Sequence, residues 1–235
     1  MQERTRLARV AGLLYLAEAV TGVFDLIYVP GKLVVGGDAA ATAARILAAE
    51  PLFRTAMLVE LISNVAFLFA TLALYQLLRE VHRTAAVLMV ILVAVQIPLV
   101  LLDEVAQAAA LILLHAHSYL SVFDQAQREA LAMLALDANS EATISSELFW
   151  GLWLLPLGWL VFRSGFLPRL LGIWLAVNGL VYIAMCVIGL LLPQQIGLAN
   201  RIAFPFLMGE PAFILWLLAF GAKAKATANP ASAPA

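Results

Sequence analysis

Six stretches of mostly apolar residues, each about 20 residues or longer, follow one another along the chain, and no other feature constrains its fold as strongly. They cover residues 7–29, 55–78, 84–114, 143–162, 170–192 and 202–221. A segment of this kind is long enough to cross the hydrocarbon of a bilayer as a helix. An open sheet edge cannot face lipid, so the expected architecture is all-α: a polytopic membrane protein built as a bundle of six transmembrane helices. The third stretch is longer than a bilayer requires, which predicts tilt or projection beyond it. Composition supports this reading, with 64% hydrophobic residues and 12% charged ones. A soluble domain is nearer a quarter charged, and this much apolar surface would drive it to aggregate.

Lysine and arginine set the expected orientation. With the N-terminus inside, the inner segments hold Arg4, Arg6, Arg9, Arg79, Arg83, Arg163, Arg169, Lys223 and Lys225. The outer ones hold Lys32, Arg45, Arg54, Arg128 and Arg201, which makes nine against five. The inner turns are also much shorter, so the positive-inside rule gives N-in/C-in. Arg4, Arg6 and Arg9 ahead of an apolar run, with Ala17-Glu18-Ala19 behind them, fit a cleavable leader. The run continues to about Val29, however, and is read as a retained first helix. The outer segment 30–54 carries Gly31, Gly36 and Gly37 and then an Ala-rich stretch expected to be helical. The segment 115–142 is expected to hold a short extracytoplasmic helix between helices three and four, capped by Ser121, with Phe123, Ala130 and Leu134 toward one side. Residues 1–222 then form one domain, and 223–235, rich in Ala, Pro and Ser, form a disordered cytoplasmic tail.

The stretch Phe149-Trp150-Gly151-Leu152-Trp153-Leu154-Leu155-Pro156-Leu157-Gly158-Trp159-Leu160-Val161-Phe162-Arg163-Ser164-Gly165-Phe166-Leu167-Pro168-Arg169-Leu170-Leu171-Gly172 resembles the signature of a bacterial membrane family catalogued as domain of unknown function 4386. Arg9 to Leu16, Phe53-Arg54 with Leu74 to Leu78, and Glu210 with Leu215 to Leu218 resemble its opening, second and last helices. The resemblance covers nearly the whole chain outside the tail. It implies six helices and a place in the bacterial cytoplasmic membrane, and it brings no catalytic residues with it.

Acidic side chains are the chemical signal. A charge in hydrocarbon costs at least about 2.5 kcal/mol on insertion scales, so acids inside spans are functional candidates. They are Glu18, Asp25, Glu60, Asp103, Glu104, Glu147 and Glu210, with no Lys or Arg near the centre of any span. In the N-in orientation all but Glu18 map to the outer half. Glu18 and Asp25 are seven residues apart on one helical face, as are Gln96 and Asp103, with Gln107 one turn further. Glu60 and Asn64 are one turn apart. Glu18, Asp25, Glu60, Asn64, Gln96, Asp103, Gln107 and Glu210 are therefore expected to bind an ion or ligand in an outward-opening acidic cavity. Protonated carboxyls that join helices through hydrogen bonds are the structural alternative, favoured for Glu104 and for Glu147 in the first turn of its helix.

His115 and His117 are the candidate metal ligands, although a spacing of two puts them on different sides of a helix. Pro98, Pro156 and Pro211 predict local kinks, the last beside Glu210. The lone Cys186 excludes an intramolecular disulfide and reads as a small buried hydrophobe. The formal net charge of -1 offers no basic field for nucleic acid. No nucleotide loop, Gly-x-Ser-x-Gly elbow or His-Glu-x-x-His occurs, and no cofactor is expected. The expected partners are the lipid bilayer and a cation, proton or small polar solute, with self-association left open. Alternatives are a membrane-embedded metal-dependent hydrolase and a non-catalytic structural or regulatory subunit.

Overall fold

The computed structural model describes residues 2–222. The tail expected to be disordered lies outside the described residues. All regular structure among the described residues is helical: α1 (Gln2–Val23), α2 (Val29–Leu33), α3 (Ala39–Ala48), α4 (Glu50–Leu78), α5 (Arg83–Ala94), α6 (Gln96–Leu114), α7 (Gln125–Ser164), α8 (Arg169–Leu191), α9 (Ile196–Leu207) and α10 (Gly209–Ala219), with short π and 3-10 turns between some of them. Joined end to end they give six helices long and apolar enough to cross a membrane: Gln2–Leu33, Glu50–Leu78, Arg83–Leu114, Gln125–Ser164, Arg169–Leu191 and Pro193–Ala219. Less than half of each apolar window is buried inside the protein. The rest, including Leu13, Ile27, Leu58, Leu102, Leu180 and Leu215, faces outward. An apolar girdle of that kind suits lipid as the surrounding solvent, and the chain is a multi-pass membrane protein.

The described chain begins and stops at the same end of the bundle. The Arg4 guanidinium is paired with Glu80, and Thr5 Oγ1 donates to the Ala222 carbonyl at 3.2 Å. At this terminal end the larger core gathers Ala8, Ala11, Leu74, Leu78, Met89, Leu157, Leu160 and Leu217. A smaller core at the far end holds Val29, Leu33, Ile46, Phe53, Ala110, Leu111, Ala132 and Leu136.

Three irregularities position the candidate side chains. The first span carries a π turn, Phe24–Tyr28, closed by the Val29 N–H on the Phe24 carbonyl, just before Pro30. Such an extra residue re-aims the side chains around it, here including Asp25. The third span breaks at Val95 and the sixth at Met208, each three residues before a proline whose missing N–H leaves a carbonyl free: Pro98 and Pro211. Through Pro156, by contrast, α7 is unbroken. The expected kinks thus appear as breaks in two of the three places.

One expectation is corrected. The segment between the third and fourth spans does not form a separate helix capped by Ser121. It is the N-terminal part of α7, which runs continuously for 40 residues from an Asp124 cap. Asp124 Oδ1 accepts from the Gln127 N–H and Gln127 Oε1 accepts from the Asp124 N–H, a reciprocal capping box. No Gly or Pro interrupts residues 125–150, so nothing stops the helix before it enters the apolar run. At 1.5 Å per residue α7 is about 60 Å long, twice the hydrocarbon thickness. Its projecting turns pack on α3 and α6. The Ala-rich helix expected in 30–54 is α3, capped by Asp38, whose side chain accepts from the Ala41 N–H at 2.9 Å.

Candidate functional site

An open pocket of about 360 Å³ lies at the far end of the bundle. Asp25, Glu60, Gln107, Asp137 and Glu147 line it, together with Asn139, Ser140, Thr143 and Asn200. Val29, Leu33, Phe53, Leu136 and Ile144 supply its apolar wall. Each element has a reason to contribute. The π turn turns Asp25 inward, α4 brings Glu60 one turn after Ala56, and α6 brings Gln107. The unbroken α7 carries both Asp137, above the apolar run, and Glu147, within it. No lysine or arginine is among the lining residues.

Gln107 Nε2 donates to Glu60 Oε2 at 3.1 Å, tying α6 to α4. Asp103 and Glu104 lie behind the pocket, buried, and act electrostatically on Asp25 and Glu60. Asp103 Oδ1, Glu104 Oε1 and Glu147 Oε2 are buried without a hydrogen-bond partner. Thr21 and Ser63 join α1 to α4 through their hydroxyls at 2.5 Å. Gln107→Ala leaves Glu60 without its inter-helix donor. It is expected to cost about 1–3 kcal/mol, read as a lower thermal midpoint in detergent.

The expected single cavity resolves into two groups. Asp25, Glu60 and Gln107 meet at the pocket, with Asp103 close behind. Glu18 and Glu210 meet elsewhere, deeper between α1, α8 and α10. There the Tyr15 hydroxyl donates to Glu210 Oε2, and Asn178 Nδ2 donates to Glu210 Oε1 at 3.2 Å. Tyr182 interacts electrostatically with Glu210, Glu18 and Glu147. Two further candidates turn back onto their own helices. Asn64 Nδ2 donates to the Glu60 main-chain carbonyl at 2.9 Å. Gln96 Nε2 donates to the Leu92 carbonyl at 3.1 Å, beside the break at Val95. The two histidines do not converge. His115 Nε2 pairs with Glu50 Oε1 at 3.1 Å, while His117 stacks on Tyr119 with ring centroids 5.7 Å apart. Among the described residues no group of three or more His, Cys, Asp or Glu is placed to hold a metal ion.

Sequence reasoning passed over Tyr15, Asp137, Asn139, Asn178 and Tyr182. Tyr15 stands three residues before Glu18 on the same helical face, and Asn178 is the one amide side chain inside the fifth apolar run. Both signals were present. Asp137 and Asn139 join the site only because α7 continues upward.

The family described as Domain of unknown function (DUF4386) matches residues 10–221. The chain belongs to the DUF4386 family. The match spans all six helices, the pocket and the deeper Glu18–Glu210 group. No curated protein and no solved structure matches the chain. The stretch that carries the DUF4386 resemblance has a direct structural meaning. Gly151 and Gly158 on α7 face Gly179 and Gly172 on α8, so the two backbones touch.

Proposed function

We propose that this DUF4386 protein binds, and passes toward the bundle interior, a cation, proton or small polar solute through the acid-lined pocket. The pocket carries the reading: about 360 Å³, lined by Asp25, Glu60, Asp137 and Glu147, with no basic lining residue to neutralise them. Small-molecule sites are clefts of this scale, with a mostly apolar wall and a few polar groups. Uncompensated carboxylates at membrane depth attract positive charge. In the N-in/C-in orientation given by the basic residues, the pocket opens to the outer face of a bacterial cytoplasmic membrane. The metal-hydrolase alternative gains nothing from the geometry, since His115 is engaged by Glu50 and His117 by Tyr119. A structural role draws support from the side-chain hydrogen bonds between spans, among them Gln107–Glu60, Tyr15–Glu210 and Asn178–Glu210.

Thermal-shift measurements on purified protein separate these readings. The panel is Na+, K+, Mg2+, Ca2+, ammonium and choline chlorides at several pH values, in wild type and Glu60→Gln. Binding to the folded state raises the midpoint by mass action. At least one probe is expected to stabilise wild type by about 2.7 kcal/mol at a hundred times its Kd, and not Glu60→Gln. Equal responses in both proteins would favour the structural role.

A further inference from the structure

The turn between α7 and α8 lies at the terminal end of the bundle, where the Arg4 guanidinium sits over Phe166 at 5.4 Å. The two arginines that flank this turn are held by rings rather than by acids. The Arg163 guanidinium lies over Trp159 at 5.5 Å, and that of Arg169 over Phe162 at 5.7 Å. Positions 159, 162 and 163 share one face of α7, so the two cations rest on neighbouring rings. His82 reaches the same indole edge-on from the α4–α5 turn, with ring centroids 5.1 Å apart. Its Nδ1 accepts from the Ala85 N–H at 3.2 Å, which leaves Nε2 as a donor. No Asp or Glu occurs between residues 148 and 209, and Glu80, the one acid of the α4–α5 turn, is taken by Arg4. Among the described residues neither Arg163 nor Arg169 has an acidic partner. Cations gathered in this way repel one another, and an anion between them removes that cost. The adjoining surface is apolar and open: Trp159 and Phe162 are partly exposed, Leu170 is 72% exposed, and Ile173 continues the same exposed strip one turn along α8.

We propose that this rim binds an anionic glycerophospholipid, with its phosphate between the Arg163 and Arg169 guanidiniums and its acyl chains along the outer face of α7 and α8. Guanidinium meets phosphate through paired N–H donors, a stronger contact than a neutral hydrogen bond. Arginine beside an indole at the edge of an apolar girdle stands at headgroup level. Clustered basic side chains at the ends of membrane helices recognise anionic headgroups. A free phosphate would match the guanidiniums and leave Leu170 and Ile173 in water, whereas a lipid covers both. The surface is at the opposite end of the bundle from the acid-lined pocket and does not depend on that pocket's function.

Native mass spectrometry of the purified full chain tests this, with dioleoylphosphatidylglycerol or dioleoylphosphatidylcholine titrated into the detergent. The expected result is saturable binding of the phosphatidylglycerol that the phosphatidylcholine does not match and that excess inorganic phosphate does not displace. Binding is expected to weaken by about ten-fold or more when Arg163→Gln and Arg169→Gln are combined. Should the double variant fail to fold, Arg169→Gln alone is read, with a loss of about five-fold expected. Arg201→Gln removes one charge at the other end of the bundle and is expected to bind as wild type does. Equal binding of the two lipids, binding untouched by the Arg163 and Arg169 variants, or an equal loss in Arg201→Gln overturns the proposal. Displacement by inorganic phosphate overturns it too, by naming a free anion as the occupant.

Discussion

Gly158→Leu is expected to keep the folded bundle from accumulating. A Cβ at Gly158 would lie 2.6 Å from the Gly172 carbonyl oxygen and 2.8 Å from the Ala176 nitrogen. Both are backbone atoms, so no side chain can swing aside and the helices must separate. The same holds at Gly151, 2.4 Å from the Gly179 carbonyl oxygen, and in reverse at Gly172 and Gly179. Between lipid-embedded helices there is no hydrophobic drive to association, and close packing of small residues takes its place. Overpacking costs about 1–3 kcal/mol in a core whose side chains can adjust, and backbone neighbours put this site at the upper end or beyond. The α7–α8 contact is the most extensive in the bundle, so its loss should show as aggregated protein on size-exclusion chromatography in detergent. Gly31→Ala is the control. Nothing lies within 4 Å of its Cβ position, and a change within about 0.5 kcal/mol is expected.

Trp153→Ala is expected to destabilise the protein by about 3–5 kcal/mol. Trp153 is 1% exposed and packs edge-on against Phe67 at 5.0 Å and Tyr15 at 5.7 Å between ring centroids. Truncation leaves a cavity that its helical neighbours cannot fill. It also releases Tyr15, whose hydroxyl donates to Glu210, so the loss reaches the deep polar group. A large fall in the thermal midpoint, partly recovered in Trp153→Phe, is the expected result. Trp159→Ala should cost much less, because that indole is 41% exposed and leans on His82 and Arg163 at the rim.

The six spans were legible because the physics of crossing lipid leaves little choice. Length and apolar composition fix each helix, and Pro98 and Pro211 mark where two of them break. The continuity of α7 was less visible, because the residues before 143 are more polar while their helix propensity does not fall. Only the lack of Gly and Pro over residues 125–150 announced it. Helical phase placed Glu18 with Asp25 and Gln96 with Asp103 on common faces, but phase says nothing about how one helix is rotated against the next. The division between the Asp25–Glu60–Gln107 pocket and the Glu18–Glu210 group was therefore hidden. So were the helix-bound roles of Asn64 and Gln96, whose amides satisfy carbonyls of their own helices. Gly151, Gly158 and Gly172 could be read in the stretch that resembles the DUF4386 signature without their packing role, the touching of the α7 and α8 backbones.

Thiol labelling in intact bacterial cells tests most directly whether the acid-lined pocket opens outward. Thr143 lines the pocket on α7, and Ser164 ends the same helix at the opposite end of the bundle. With the single native thiol removed by Cys186→Ala, Thr143→Cys is expected to react with a membrane-impermeant maleimide added outside, and Ser164→Cys is expected to react only after the cells are opened. Labelling of Ser164→Cys from outside, with Thr143→Cys protected until lysis, would contradict the outward-facing pocket.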